Sequence, residues 1–341
     1  MKGSLFLVLC TLLVATSVVA QIPMPVQVIP IAGKTKGGQG TDWVTDLSIA
    51  NIGTRSGTIG VHYFPANTAN TFNGTFAKTF ALASGRSLYV KDVVGSWFPQ
   101  FGTSTSGFLV IADITTPANC HLEDPPQLSL ISTSRTYNNA DPRKTYGQTV
   151  PEALYRFNFT RQPSVIPGIV HQPGAVPGFR TNVGVVNLST VPISVRVTAF
   201  NTNGANAGSA VKPIPPLTVI QWSLSDFGIP SLAAGRVEFK LESGIVVDPC
   251  SQADEAPACL NRCETGCGDK YGFSRSAAFI GWASKVDNGS GDAEFMLPAM
   301  DWFQYNSDCE DSGTSPIVKM LQRFGFGPPP SLTIRKVPQR Q

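Results

Sequence analysis

Phe179-Arg180-Thr181-Asn182-Val183-Gly184-Val185-Val186-Asn187 repeats the pattern of Trp43-Val44-Thr45-Asp46-Leu47-Ser48-Ile49-Ala50-Asn51. An aromatic residue opens each stretch, Thr stands third, apolar residues alternate, and Asn closes. The offset is 136, from 43 to 179. At that same offset Ile59, Val61, Tyr63 and Phe64 fall on Val195, Val197, Ala199 and Phe200. Further matches follow in the same order. Leu88-Tyr89-Val90-Lys91-Asp92 matches Trp222-Ser223-Leu224-Ser225-Asp226, and Gly107 to Ile111 matches Gly235 to Phe239. Thr133 to Asn138 matches Ala283 to Asn288, at an offset of 150. Five ordered matches point to an internal duplication. The second copy is then 14 residues longer (150 against 136), and the cysteine-rich stretch around Cys250 to Cys267 is the expected insertion.

Each copy reads as β structure. Ile59, Val61 and Tyr63 alternate with Gly60 and His62; Ile193, Val195, Val197 and Ala199 alternate with Ser194, Arg196 and Thr198. A period of two marks strands with one buried and one solvated face. On this pattern His62 is expected to face solvent. Asn51 to Gly57 and Asn187 to Pro192 carry turn residues between the strands. Charged residues make up only 14% of the chain, and 32 Gly and 27 Pro punctuate it. That is the composition of a turn-rich all-β protein. The expected fold is two tandem antiparallel β-sandwich domains.

The N-terminus sets the compartment. Lys2 precedes an apolar run from Leu5 to Val19, and Val18-Val19-Ala20 places small residues at a cleavage site. This is the pattern of a signal peptide over 1–20. It is too short for a transmembrane span, and no second long apolar stretch follows. The chain is expected to be secreted or otherwise extracellular or periplasmic, with cell-surface association left open. A net charge of +3 with scattered basic residues offers no case for nucleic acid. Removal of the leader takes Cys10 and leaves Cys120, Cys250, Cys259, Cys263, Cys267 and Cys309. Six cysteines in an exported chain read as up to three disulfides, whose pairing is open. A metal site in the Cys259, Cys263, Cys267 cluster is the weaker reading, since the spacing is not C-x2-C.

The stretch Thr181 to Ser189, with Ile193-Ser194-Val195-Arg196-Val197, resembles the first strand pair of bacterial Ig-like modules. The chain as a whole resembles exported bacterial proteins with tandem Ig-like β-sandwich repeats. The resemblance covers most of the mature chain apart from the cysteine insert and the tail. It implies an Ig-like sandwich in each copy and, by analogy only, display or adhesion. It brings no active-site residues with it.

The resulting layout is a signal peptide at 1–20, repeat 1 at 21–150, a linker at 151–164 and repeat 2 at 165–310. A Cys-rich insert occupies 249–273, and a helix with a Pro-rich tail occupies 311–341. The helix is signalled by Ser315, Pro316 and the spacing of Ile317, Val318, Met320, Leu321 and Phe324 before Gly325.

No motif reaches the standard of a catalytic site. Gly33-Lys34-Thr35 resembles the end of a phosphate loop, but Val28 stands where the first Gly is required. Gly102 to Gly107 is not a nucleophile elbow. Only His62, His121 and His171 are available as bases. Asp287 to Glu294 alternates oxygen donors with Gly, which reads either as a polar hairpin turn or, less readily, as a calcium loop. Trp97, Phe98 and Phe101 cluster near a strand end, as do Trp302, Phe303 and Tyr305. The insert offers a candidate binding loop through Asp254, Glu255, Arg262, Glu264, Asp269 and Lys270. The functional expectation is a non-catalytic structural, adhesive or surface-interaction protein with no cofactor. Its partner is an unidentified protein or glycan at or outside the cell surface. A carbohydrate-binding module and an unrecognised hydrolase are the alternatives.

Overall fold

The computed structural model describes residues 26–36, 40–115, 128–141, 145–154, 163–243 and 278–298. All strand pairing among them is antiparallel. The first half carries β1 (Val26–Lys36), β2 (Asp42–Asn51), β3 (Gly57–Pro65), β4 (Lys78–Leu82) and β5 (Ser87–Val90). It continues through helix α1 (Val93–Trp97), β6 (Thr105–Asp113), β7 (Leu130–Asn138), β8 (Gly147–Pro151) and β9 (Ala153–Leu154). The second half carries β10 (Ser164–His171), β11 (Phe179–Asn187), β12 (Ile193–Asn201), β13 (Asn206–Ile214) and β14 (Thr218–Ser223). A 3-10 turn at Leu224–Phe227 leads to β15 (Leu232–Ser243), β16 (Phe279–Asp287) and β17 (Ala293–Met296). No helix among the described residues is long and apolar enough to cross a membrane.

The strand orders of the two halves correspond, with β9 an addition in the first. In the first half β4-β3-β6-β1-β9 forms one layer and β5-β2-β7-β8 the other. In the second half the layers are β13-β12-β15-β10 and β14-β11-β16-β17. β1 crosses between the layers of its half, pairing with β6 and β9 at first and with β2 at Thr35 and Lys36. Pro30 and Pro167 fall in the irregular stretches of β1 and β10, where a missing N–H disturbs the ladder least. Ala153 and Leu154 extend the first sandwich past Pro151, and β10 begins at Ser164.

The register refines the repeat. Trp43 pairs with Asn138 and Phe179 with Asp287, so β7 and β16 are offset by 149. The sequence match of Thr133 to Asn138 with Ala283 to Asn288 is one residue out of step. Such a slip matters, because it exchanges the two faces of a strand. The β5 match shifts by two, to an offset of 132, which leaves its faces unchanged. The offset at β6 and β15 is 128 and rises to 149 at the next strand. The second half therefore has 21 more residues between β15 and β16, the connection that carries the cysteine-rich stretch.

Three apolar clusters are formed by the described residues. Leu47, Ile49, Val61, Tyr63, Phe98, Leu109 and Ile111 fill the first sandwich. Val183, Val185, Val195, Val197, Val237, Phe239 and Phe279 fill the second. The third cluster lies between the halves. Val28, Phe64, Phe76, Phe108 and Val110 of the first pack on Val186, Leu188, Val219, Ile280 and Trp282 of the second. β6 is consequently buried on both faces, with Leu109 and Ile111 turned to its own sandwich and Phe108 and Val110 turned to the seam. Fully burying side chains of this size contributes about 1.5–3 kcal/mol each. Polar contacts edge the seam. Thr218 Oγ1 donates to Pro65 O at 3.1 Å, Asn70 Nδ2 to Leu217 O at 2.8 Å, and Ser284 Oγ to Gln148 Oε1 at 2.8 Å.

The seam overturns the expectation for His62. Its face of β3 meets the second sandwich's layer and not solvent. The ring is half-buried among Phe64, Phe72 and Phe76, at centroid distances of 4.6, 5.1 and 6.4 Å. Burial lowers its pKa, opposed in part by a hydrogen bond to the Thr75 backbone.

Candidate functional site

Asp46 centres the densest group of titratable side chains on the first sandwich. It lies on β2, pairs across the sheet with Arg135 of β7, and is 6% exposed. Its carboxylate accepts from the Tyr89 hydroxyl, from the Asp92 backbone N–H at 2.9 Å and from the Tyr137 hydroxyl at 3.3 Å. The bond to Asp46 pushes the Tyr89 phenol up to about 12, with burial and the Asp46 charge acting the same way. Burial, then the Asp46 charge, raises Tyr137. Arg135 sits over the Tyr137 ring at 4.9 Å and also donates to Thr145 O at 2.6 Å. Asp92 caps α1 through Gly95 N at 3.0 Å and pairs with Lys34. The group is thus closed on itself: Asp46 accepts three bonds, and they lock β5, β7 and the start of α1 to β2. Lys34 of β1 joins this lock through Asp92.

The second sandwich brings a Ser and a His together. His171 ends β10, fully buried, with Nε2 at 2.9 Å from Ser225 Oγ. Distance alone would suit a nucleophile and its base. The other ring nitrogen decides against that role, because Nδ1 accepts the Thr181 backbone N–H at 3.0 Å. A neutral imidazole with Nδ1 accepting carries its proton on Nε2. His171 therefore donates to Ser225 and cannot take its proton. Burial lowers the His171 pKa, which keeps the ring in this neutral form.

The sequence-derived candidates fall as follows. Cys120, Cys250, Cys259, Cys263, Cys267 and Cys309 all lie outside the described residues. So do Asp254, Glu255, Arg262, Glu264, Asp269 and Lys270 of the candidate binding loop, His121, the aromatic group Trp302 to Tyr305, and the C-terminal helix. The Asp287 loop is the β16–β17 turn. Asp287 Oδ1 accepts from Gly289 N at 2.6 Å and Ser290 N at 2.8 Å, and these backbone donors lower its pKa. Asn288 Nδ2 ties the turn to Gln172 O and Ala175 O. Trp97 and Phe98 belong to the end of α1 and not to a strand. Phe98 is buried against Tyr63, and Trp97 stands beside Phe80 with centroids 5.5 Å apart. Among the described residues no three His, Cys, Asp or Glu side chains are grouped to hold a metal.

The described residues also form a concavity. An open groove of about 580 Å3 runs between β4 and β5, floored by Phe80, Leu88 and Trp97, with Lys78 and Arg86 among its lining residues. Sequence reading missed it, because neither edge strand carries a motif. The alternation of Lys78, Phe80 and Leu82 is its only trace.

No family model matches the chain, and no curated protein does. Among solved structures it is similar to a Bacteroides uniformis β-glucuronidase at 10% identity and a TM-score of 0.15, over 80% of this chain and 26% of that one. It is similar to a Ruminococcus gnavus β-glucuronidase in complex with uronic isofagomine at 9% identity and a TM-score of 0.14, over 78% of this chain and 33% of that one. The chain spans about a quarter to a third of those enzymes, and likeness this faint carries no argument about fold or activity.

Proposed function

We propose that this chain is an exported, non-catalytic protein of structural, adhesive or surface-interaction type, built by internal duplication of an Ig-like β-sandwich. Matching strand orders support the duplication, and so do matching local bonds. Asn51 Nδ2 donates to Arg55 O and Leu82 O, and Asn187 Nδ2 donates to Val191 O and Ile214 O. Thr45 Oγ1 donates to Gly33 O, as Thr181 Oγ1 does to Val170 O. The leader at 1–20 and the even cysteine count of the mature chain support export.

The observation that carries the functional reading is the self-closure of the polar groups. Asp46 is saturated by Tyr89, Tyr137 and the Asp92 amide, and His171 holds its proton toward Ser225. These constellations brace the sandwiches, which leaves surfaces and edges to act. The test is fractionation of the producing cells with protease shaving of intact cells. Retention on the surface is the expected result. Free protein in the medium, together with turnover in a broad glycoside and ester panel, would overturn the reading in favour of an enzyme.

A further inference from the structure

Among the described residues β4 and β13 are the edge strands beside β3 and β12, and the two sandwiches build these edges differently. β4 and β13 pair with those strands on one side only, and the register aligns them at an offset of 132. β13 carries two devices that blunt an edge. Pro213 lacks a donor, and Lys212 turns inward with its Nζ 4.8 Å from the Phe227 ring centroid and 5.8 Å from that of Trp222. Inward-pointing Lys and edge Pro are how sheets refuse another strand. At the aligned positions β4 has Phe80 for Lys212 and Ala81 for Pro213. Phe80, which stands where the second sandwich has Lys212, lines the open groove of the first together with Leu88 and Trp97.

We propose that the β4 edge docks an extended acidic peptide segment of a partner protein, which adds a strand beside β4 and sets alternate apolar side chains over Phe80, Leu88 and Trp97. The inference rests on the surface-interaction reading and names its surface. Three observations converge. Among the described residues β4 has a strand partner on one side only, the arrangement that strand addition requires. The groove floor is apolar and aromatic, which accepts every second side chain of a strand. The lining holds two cations, Lys78 and Arg86, and no carboxylate, so acidic residues on the incoming strand are favoured. A sugar would use the aromatic floor but not the β4 backbone edge, and the edge is what the two sandwiches treat differently.

The test uses the full mature chain and phage-displayed random dodecapeptides. Enriched peptides are then synthesised and measured by fluorescence polarisation. The expected winners alternate apolar with acidic residues. Phe80→Lys/Ala81→Pro, which copies the β13 devices into β4, is expected to weaken them at least tenfold. Lys78→Glu/Arg86→Glu leaves the strand sequence otherwise intact, and guards against misfolding of the first variant by turning the preference to basic peptides. Enrichment of no peptide, equal binding to both variants, or capture of uronate oligosaccharides by the groove in place of peptides would each overturn the proposal. Surface retention read in parallel separates the two levels. Retention that survives both variants counts against the groove alone, whereas wild-type protein free in the medium counts against the interaction reading itself.

Discussion

Trp282 lies across Gly184. The two residues pair directly between β11 and β16, and a Cβ on Gly184 would fall 2.2 Å from two carbons of the indole. The ring reaches the seam only because position 184 has no side chain, and there it stacks on Phe295 at 5.2 Å. Gly184→Ala must push the indole out of a packed layer. Overpacking of this kind costs about 1–3 kcal/mol. The expected result is a matching loss in urea unfolding, and Gly184→Ala should cost much less in a Trp282→Leu background, where the smaller side chain leaves room for the methyl.

Asn187 and Asn51 make the same turn in the two halves, but their surroundings differ. Asn187 donates to Val191 O, Ile214 O and Pro215 O and accepts from Ser189 N. Asn51 donates to Arg55 O and Leu82 O and accepts from Gly53 N. Replacement by Ala leaves those backbone groups without partners, at about 1–3 kcal/mol for a buried set. Asn187→Ala is expected to cost more than Asn51→Ala, since one more carbonyl loses its donor. Equal losses in thermal melts would show that the extra bond to Pro215 contributes nothing.

Glu152 makes stability fall as pH rises. It is 6% exposed, at the step from β8 to β9, and burial raises its carboxyl to about 7 from the ordinary 4.5. Between these values the unfolded chain has released the proton while the folded chain keeps it, so unfolding is favoured progressively. The penalty is absent below about 4.5, grows to about 7 and is constant above. Glu152→Gln should melt at a higher temperature than wild type at pH 8 and at the same temperature near pH 4. His62 and His171, both lowered by burial, produce the opposite trend below 6.5, so the difference between variant and wild type is the quantity to read.

Much of the strand layout is legible in the sequence. The stretches ending in Asn51 and Asn187 align because both close the same turn with the same bonds, and the alternation around Val61 and Val197 places their strands. What failed did so for physical reasons. The match at β7 slipped by one because Asn138 and Asn288 look alike, whereas the residue that occupies the position of Asn138 is Asp287, which caps the β16–β17 turn with its carboxylate. The seam left a sign that alternation alone does not use. Phe108 to Ala112 is apolar at every position, but its counterpart Arg236-Val237-Glu238-Phe239-Lys240 alternates. An uninterrupted apolar run marks a strand covered on both faces. The Asp46 lock and the groove draw their residues from separate strands, so no local pattern could announce them.

That contrast also separates the seam from the outer faces of the two sandwiches. The face of β6 that enters the seam presents Phe108, Val110 and Ala112, and the same face of β15 presents Arg236, Glu238 and Lys240. There Arg236 pairs with Glu238 at 2.8 Å and Arg196 with Glu242 at 2.6 Å. At the other end Ser48 and Thr133 stand where the second sandwich has Gly184 and Trp282. These outer faces are polar where the seam is apolar. Val110→Glu carries the charge of Glu238 into the seam opposite His62, whose imidazole burial holds toward the neutral form. An uncompensated buried charge costs about 3–5 kcal/mol. The expected outcome is a split of one cooperative thermal transition into two, as the sandwiches part while each keeps its own core. A single transition shifted down by less than a degree would mean that the seam yields to a charge without cost, and that burial between the halves does not hold them together.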